Sequence, residues 1–468
     1  MADITSWHYL PAEIRTLILE ALLQDGCNLA SFVTVSREWQ AIIEPHIFSR
    51  IKLTSSRVKE FGLMAYRNRA LVRYIWLCLE FQEYGCAESS FDGLPLQGIT
   101  DTDNNIIITT VYSPSDSEHW FKYLTFEPDI SSREWNCGQL AEQSILAKIS
   151  RHQHIWVPYD EFDGALSSTS EAIFKVFDEI MSEGPFETRE HEAQWWLQLP
   201  LVPAITAVLL RQQTRRRWNP KALSLMFSRF PRLQEIHYEP WREWESAIQA
   251  ETDHYNQIQR LTIFENFNQQ YPQYYRDANP IRAPASYVGQ AVANTSLKLE
   301  CLSASFIVDA SYFFQTREHS WRWPNLTLLI LTYNCLFLEA AAAAMKMPNL
   351  KTMEIWNGRE GLAALFRYQL KRDEQSAMIT WRGTWDFTLQ PAVIQAWEAV
   401  AHKYHGNGSI IIKELLDVNA IKCHGDAIYH LKLSELVIRP VSLRQIRIEH
   451  EAREEMLNRS QMATRFAQ

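Results

Sequence analysis

Two histidines three residues apart, His402 and His405, could face one metal ion from one side of a helix. No third ligand stands at a telling distance, and Gly406-Asn407-Gly408 just beyond them reads as a solvated helix end. Cys423 and His424 put a thiol beside an imidazole, yet a catalytic pair is assembled by the fold and does not require adjacency. The seven cysteines, Cys27, Cys78, Cys86, Cys137, Cys301, Cys335 and Cys423, include no C-x-x-C. That spacing argues against a zinc knuckle, a RING-type module and a thioredoxin motif, and leaves buried thiols in a reducing compartment. No G-x-G-x-x-G, P-loop, G-x-S-x-G or H-E-x-x-H occurs. The residues therefore single out no catalytic, cofactor-binding or metal site, and the chain reads as non-catalytic. An enzyme with an unrecognised site in the middle region stays open as a rival.

One charge cluster stands out. Arg211, Arg215, Arg216, Arg217, Lys221, Arg229 and Arg232 place seven cations in 22 residues with no acid among them, and Trp218 lies inside. A basic exposed helix end, an intramolecular partner for acidic residues and a nuclear-import or nucleic-acid patch all fit that pattern. The chain as a whole carries a net charge of −9, which would repel phosphates and argues against a nucleic-acid partner.

These residues must be held by a large folded body. The 468 residues are 46% hydrophobic, with 17 Trp, which excludes a disordered chain and suggests about three domains. No basic region followed by an apolar stretch opens the sequence, and the most apolar long window, 326–345, is interrupted by Thr327, Thr332, Tyr333, Asn334 and Glu339. Neither a secretory signal nor a membrane span is expected, so the chain is read as cytoplasmic or nuclear.

The first fifty residues read as three short helices. Leu10, Ile14, Leu17, Ile18 and Leu22 recur at helical spacing after Pro11. Leu29, Phe32, Val33 and Val35 form a second helix; Ser36 caps a third carrying Trp39, Ile42 and Ile43, closed by Pro45. From Tyr74 to Trp120 there is no Lys or Arg, which reads as an acidic, loop-rich insertion after a strand at Ile75–Leu79. Residues 120–218 read mostly as helices, for example 171–181 and 194–213.

Beyond Arg229 a short phrase recurs: apolar, two residues, apolar, one residue, apolar. It appears as Leu233/Ile236/Tyr238, Ile258/Leu261/Ile263, Leu299/Leu302/Ala304, Leu326/Leu329/Leu331 and Leu350/Met353/Ile355. Weaker copies are Val72/Ile75/Leu77 and Ile428/Leu431/Leu433. The spacings are 25, 41, 27 and 24 residues, and three of the four fall in the range of leucine-rich repeats. Helical stretches at 336–345 and 361–370 lie between copies. The expected fold is α/β: a three-helix N-terminal unit, a helical middle region, and an irregular leucine-rich-repeat-like solenoid with a parallel sheet. A plain α/β sheet without a solenoid is the alternative. The divisions are 1–50, 51–228, 229–440 and a helical tail at 441–468.

The first fifty residues resemble an F-box. Leu10-Pro11-Ala12-Glu13-Ile14, then Ile18 and Leu22, Asn28-Leu29, Val33-Thr34-Val35-Ser36-Arg37-Glu38-Trp39 and Ile42 follow the family's LP-x-E-I, D/N-L and V-S-x-x-W order. Phe48–Leu53 and Arg69–Leu77 extend the likeness to uncharacterised fungal F-box proteins with irregular leucine-rich repeats. The resemblance implies an adaptor of an SCF-type ubiquitin ligase. It would bind the Skp subunit over residues 8–48, with Leu10, Pro11, Ile14, Ile18, Leu29, Val35 and Trp39 as the pool of anchors, and would hold a protein substrate on the repeat region without any cofactor. A protein-interaction module with no ligase role is the runner-up.

In a strand-plus-helix solenoid, alternate strand residues line the open face. His237, Phe264, Thr332 and Trp356 are the expected substrate face on that count. Cover by the 266–286 loop or by the C-terminal segment is the competing expectation.

Overall fold

The structure is a computed structural model and describes residues 7–24, 29–57, 60–61, 68–80, 105–112, 179–180, 186, 188–211, 217–241, 257–267, 285–332, 337–370, 376–405, 408–451 and 454. Most of the acidic stretch, helix 171–181 save for its strand residues 179–180, and most of the 266–286 loop lie outside them.

Helix α1 (Ala12–Gln24) starts directly after Pro11, whose carbonyl accepts the Arg15 N–H at 3.1 Å. A 3-10 turn at Leu29–Thr34 leads to α2 (Arg37–Ser49), where Ser36 caps the start by accepting the Trp39 N–H at 3.3 Å. In place of the three expected helices, the described residues form two α-helices and two 3-10 turns, Trp7–Tyr9 and Leu29–Thr34. Pro45 does not close α2; the helix runs on to Ser49 and enters strand β1 (Arg50–Thr54) without a loop. The Ser49 carbonyl accepts the Arg73 N–H, which ties this junction to the approach of the next strand.

One sheet of twelve strands dominates the described residues. After β1 come β2 (Tyr74–Glu80), β3 (Asn105–Tyr112), β5 (Ile205–Leu210), β7 (Glu235–Tyr238), β8 (Arg260–Phe264), β9 (Cys301–Asp309), β10 (Leu328–Thr332), β11 (Thr352–Arg359), β12 (Leu362–Leu370), β13 (Ala377–Gly383) and β14 (Ser409–Leu415). Spatial order follows chain order throughout. Two further strands, β4 (Glu179–Ile180) and β6 (Arg217–Trp218), pair separately.

The recurring phrase marks adjacent parallel strands. Ile236, Leu261, Leu302, Leu329 and Met353 stand in one row across β7 to β11, and Tyr238, Ile263, Ala304, Leu331 and Ile355 in the next. The leading residues Leu233, Ile258, Leu299, Leu326 and Leu350 are buried just before each strand. Pro-Asn-Leu stands before both β10 (324–326) and β11 (348–350), and Asn349 donates to the Pro324 carbonyl at 2.6 Å, so the two approaches also bond to each other. Helices α3 (Arg189–Gln198), α4 (Pro220–Phe227), α5 (Ser286–Ser296), α6 (Ala310–Gln315), α7 (Phe337–Ala344) and α8 (Pro391–His405) complete the first layer. Residues from α3 to α8 join the main hydrophobic core with this face of the sheet.

The architecture is nevertheless not a solenoid, and the expected fold class is corrected on two findings. First, the run of parallel neighbours is broken after β11: β12 pairs antiparallel with both β11 and β13, and Gly361 turns the β11–β12 hairpin with φ +67°. Second, the other face of the sheet is not open. Helix α9 (His424–Leu431) and a helix over 440–451 lie on it and form a second hydrophobic core with Phe264, Phe306, Ile330, Trp356 and Leu365. A sheet buried on both faces is a layered α/β body.

Three segments changed class for related reasons. Residues 194–213 were expected to be one helix, but Pro200 and Pro203 end α3, and Ile205–Leu210 is an apolar run buried in the sheet. The expected helix over 361–370 is instead the turn residue Gly361 followed by β12, because Ala363 and Leu365 face one core while Ala364, Phe366 and Tyr368 face the other, a period of two. Ile428 and Leu431 are three apart on a helix, α9, rather than on a strand.

Candidate functional site

The clearest candidate is the outer surface of the N-terminal helices. On α1 the apolar residues split into two sets. Leu19 is fully buried, while Ile14, Leu17 and Ile18, at i, i+3 and i+4, are 43%, 59% and 43% exposed. Pro11 is also exposed, as is Val35 at the turn before α2, at 58%. A single exposed leucine needs no explanation, but three at helical spacing form an apolar stripe. The inner side joins the fully buried Leu19 and Ile43 to polar and aromatic contacts. Glu38 accepts Arg15 Nε at 2.8 Å and Trp7 Nε1 at 3.0 Å, and Trp39 packs at 5.2 Å from Trp7 and 5.8 Å from Phe32.

The expected Skp-binding residues thus separate. Pro11, Ile14, Ile18 and Val35 face solvent; Leu10 and Leu29 are half-buried; Trp39 is half-buried and engaged within the unit. Leu17 joins the stripe and was not singled out, although its helical spacing gave the signal.

The expected substrate face is corrected. His237 and Thr332 are buried, and Phe264 and Trp356 are fully so. Phe264 and Trp356 both pack edge-on to Phe306, at 5.6 and 4.9 Å. Thr332 holds an irregularity in β9: its Oγ1 accepts the Phe306 N–H at 2.8 Å and donates to the Val308 carbonyl at 3.1 Å, where Phe306 has φ +62°. His237 Nε2 meets Glu239 Oε1 at 2.7 Å. Residues 424–451 cover this face, with Phe267 packed on Phe306 at 4.8 Å; residues 268–284 of the loop lie outside the described residues.

Cys423 and His424 resolve as packing, while Arg215 and Arg216 of the basic cluster lie outside the described residues. His424 pairs with Asn266 at 2.7 Å and stacks on Phe267 at 4.6 Å. Burial and the Asp426 charge push the Cys423 thiol up to about 12, so the neighbouring pair holds no nucleophilic thiolate near neutrality. His402 is exposed on α8, and no group of three metal-ligating residues occurs among the described residues. In the basic cluster, Arg211 is buried 5.8 Å from the Trp76 ring, and Arg229 donates to the Leu197 carbonyl at the end of α3 at 3.3 Å. No described helix is long and apolar enough to cross a membrane.

No curated protein matches the chain. Residues 253–439, which run from just before β8 to the loop after α9, match a family of unknown function (DUF6546).

Proposed function

We propose that the chain is a non-catalytic adaptor: its N-terminal helices dock the Skp subunit of an SCF-type ubiquitin ligase, and its α/β body holds a protein substrate. The observation that supports this reading is the solvent-facing stripe of Ile14, Leu17 and Ile18, which coincides with the segment resembling an F-box. Apolar side chains on a helix, with a charged rim such as Glu13 and Glu20, suit a helix-on-helix interface. Such an adaptor forms no bond. It raises the effective concentration of a substrate lysine near the conjugating enzyme, in the cytoplasm or nucleus.

Co-purification with the Skp subunit tests the proposal. The intact chain should retain the subunit, and the Leu10→Ser/Pro11→Ser variant should lose it with an unchanged circular-dichroism spectrum. Failure of the intact chain to retain it, or undiminished retention by the folded variant, would sink the reading.

A further inference from the structure

Among the described residues the large sheet ends at β14 (Ser409–Leu415), which pairs with β13 on one side. Main-chain groups alternate in direction along a strand. The Leu416 N–H bonds to the Gly383 carbonyl at the end of β13. The groups of Glu414, Ile412 and Ile410 therefore point toward β13, and those of Ser409, Ile411, Lys413 and Leu415 point out of the sheet. Such a row of outward donors and acceptors is a template for another strand.

Proteins blunt these edges with charge, a proline or a bulge. β1, at the opposite edge, follows that rule: Arg50 and Lys52 are exposed and lie over the Tyr74 and Trp76 rings of β2 at 5.4 and 4.7 Å. β14 is guarded less. It has no proline, and its register with β13 runs the whole strand without a shift. Its two charges turn back on their own chain. Glu414 accepts Arg382 Nε at 2.6 Å, and Lys413 Nζ donates to Thr388 Oγ1 at 3.4 Å. Apolar side chains stand out beside them: Ile410 is 46%, Ile411 38% and Leu415 70% exposed.

The apolar run also matches its own reverse. Two copies of β14 set antiparallel about Ile411 place Ile411 opposite Ile411, Ile410 opposite Ile412 and Ser409 opposite Lys413. Each isoleucine meets an isoleucine, and no like charges face each other. Ser409, Ile411 and Lys413 carry outward groups, so they fall at the hydrogen-bonded pairs and make about six main-chain bonds across the axis. An axis at Lys413 would set ammonium against ammonium, and one at Ile412 would set isoleucines against Lys413 and Glu414.

We infer that β14 is the interface of a two-fold dimer, pairing antiparallel with β14 of a second copy about Ile411 so that the two sheets join. A second copy is the occupant because the strand complements itself, and a two-fold pair closes without leaving either β14 edge open.

Sedimentation of the intact chain at micromolar concentration should give two chains per particle. Lys413→Pro removes an N–H that points out of the sheet, so it spares the β13 ladder; it should keep the melting midpoint and return the particle to one chain. Full-length chains carrying Ile410→Cys, mixed with chains carrying Ile412→Cys, should form a disulfide on mild oxidation that neither forms alone and the unaltered chain does not form, since unlike positions face each other. A single chain per particle would overturn the inference and leave the edge to a strand of another protein. So would particles of more than two chains, or a dimer that survives Lys413→Pro in a folded chain. Should that variant unfold, the disulfides decide: a bridge in the mixture supports the pairing, and its absence, or a bridge formed by Ile412→Cys alone, overturns it.

Discussion

Glu354 and Arg367 face each other across the antiparallel β11–β12 pair, carboxylate to guanidinium at 2.7 Å, and each turns its other arm to the main chain of the 431–442 segment. The pair is nearly dry, with side-chain exposures of 2% and 13%. Its worth lies in completeness, because every charged group in it has a partner.

Removing one member should therefore be costly. Arg367→Met strands the Glu354 carboxylate and is expected to lose about 3–5 kcal/mol in denaturant unfolding. Adding Glu354→Leu should recover much of that loss. A single variant as stable as the parent would show that the pair is solvated.

The two buried carboxylates should pull the pH profile in opposite directions. Burial alone would raise the Glu239 carboxyl, but the hydrogen bond and charge of His237, with Ser442 and the Arg439 N–H, outweigh it and hold Glu239 below its ordinary value. Its stabilisation is present above the ordinary carboxylate range and is lost as pH falls through the depressed value. For Glu354 burial prevails over the Arg367 charge and holds the carboxyl high, so its contribution is present in acid and lost as pH rises through the raised value. Glu239→Gln should flatten the acid limb of stability against pH, and Glu354→Gln should steepen it. Urea midpoints across the acid range read both.

Gly358 marks a close approach between β11 and α9. A β-carbon there would lie 2.4 Å from the Ala427 β-carbon. Gly358→Ala should destabilise by about 1–3 kcal/mol, and Ala427→Gly in the same chain should relieve part of it. Thermal melts of the three variants decide the matter.

The stripe on α1 should behave as surface. Ile14→Glu with Ile18→Glu should leave the unfolding midpoint within about 0.5 kcal/mol of the parent while removing any partner that uses the stripe. A large drop in stability would place these residues in a core.

The parallel strands β7 to β11 were legible in the sequence because a parallel sheet keeps one register: a fixed apolar pattern before each strand yields rows such as Ile236–Leu261–Leu302–Leu329–Met353. The second layer was not legible. His237, Glu239, Thr262 and Glu354 alternate with apolar residues as solvent-facing positions do, and no local pattern says that residues 200 positions away will cover them. β12 failed for a different reason: a strand buried on both sides is a continuous apolar run, which spacing alone does not separate from a helix. Of the exposed stripe, the shared helix face of Ile14 and Ile18 was legible from their spacing, whereas the inward turn of Trp39 depends on Trp7 and Phe32.

Because the strands lie in space in the order they occur in the chain, each can pair as soon as it leaves the ribosome, with its predecessor already waiting. The contact from Glu239 to Arg439 and Ser442 spans 200 and 203 positions and has to wait until translation has passed those residues. At an elongation rate of about 5–20 residues per second, the stretch from Glu239 to Arg439 takes roughly 10–40 seconds to make. For that time the nascent sheet lacks its second cover, so the interval in which Phe264, Ile330 and Trp356 stand open to a chaperone is set by the speed of translation.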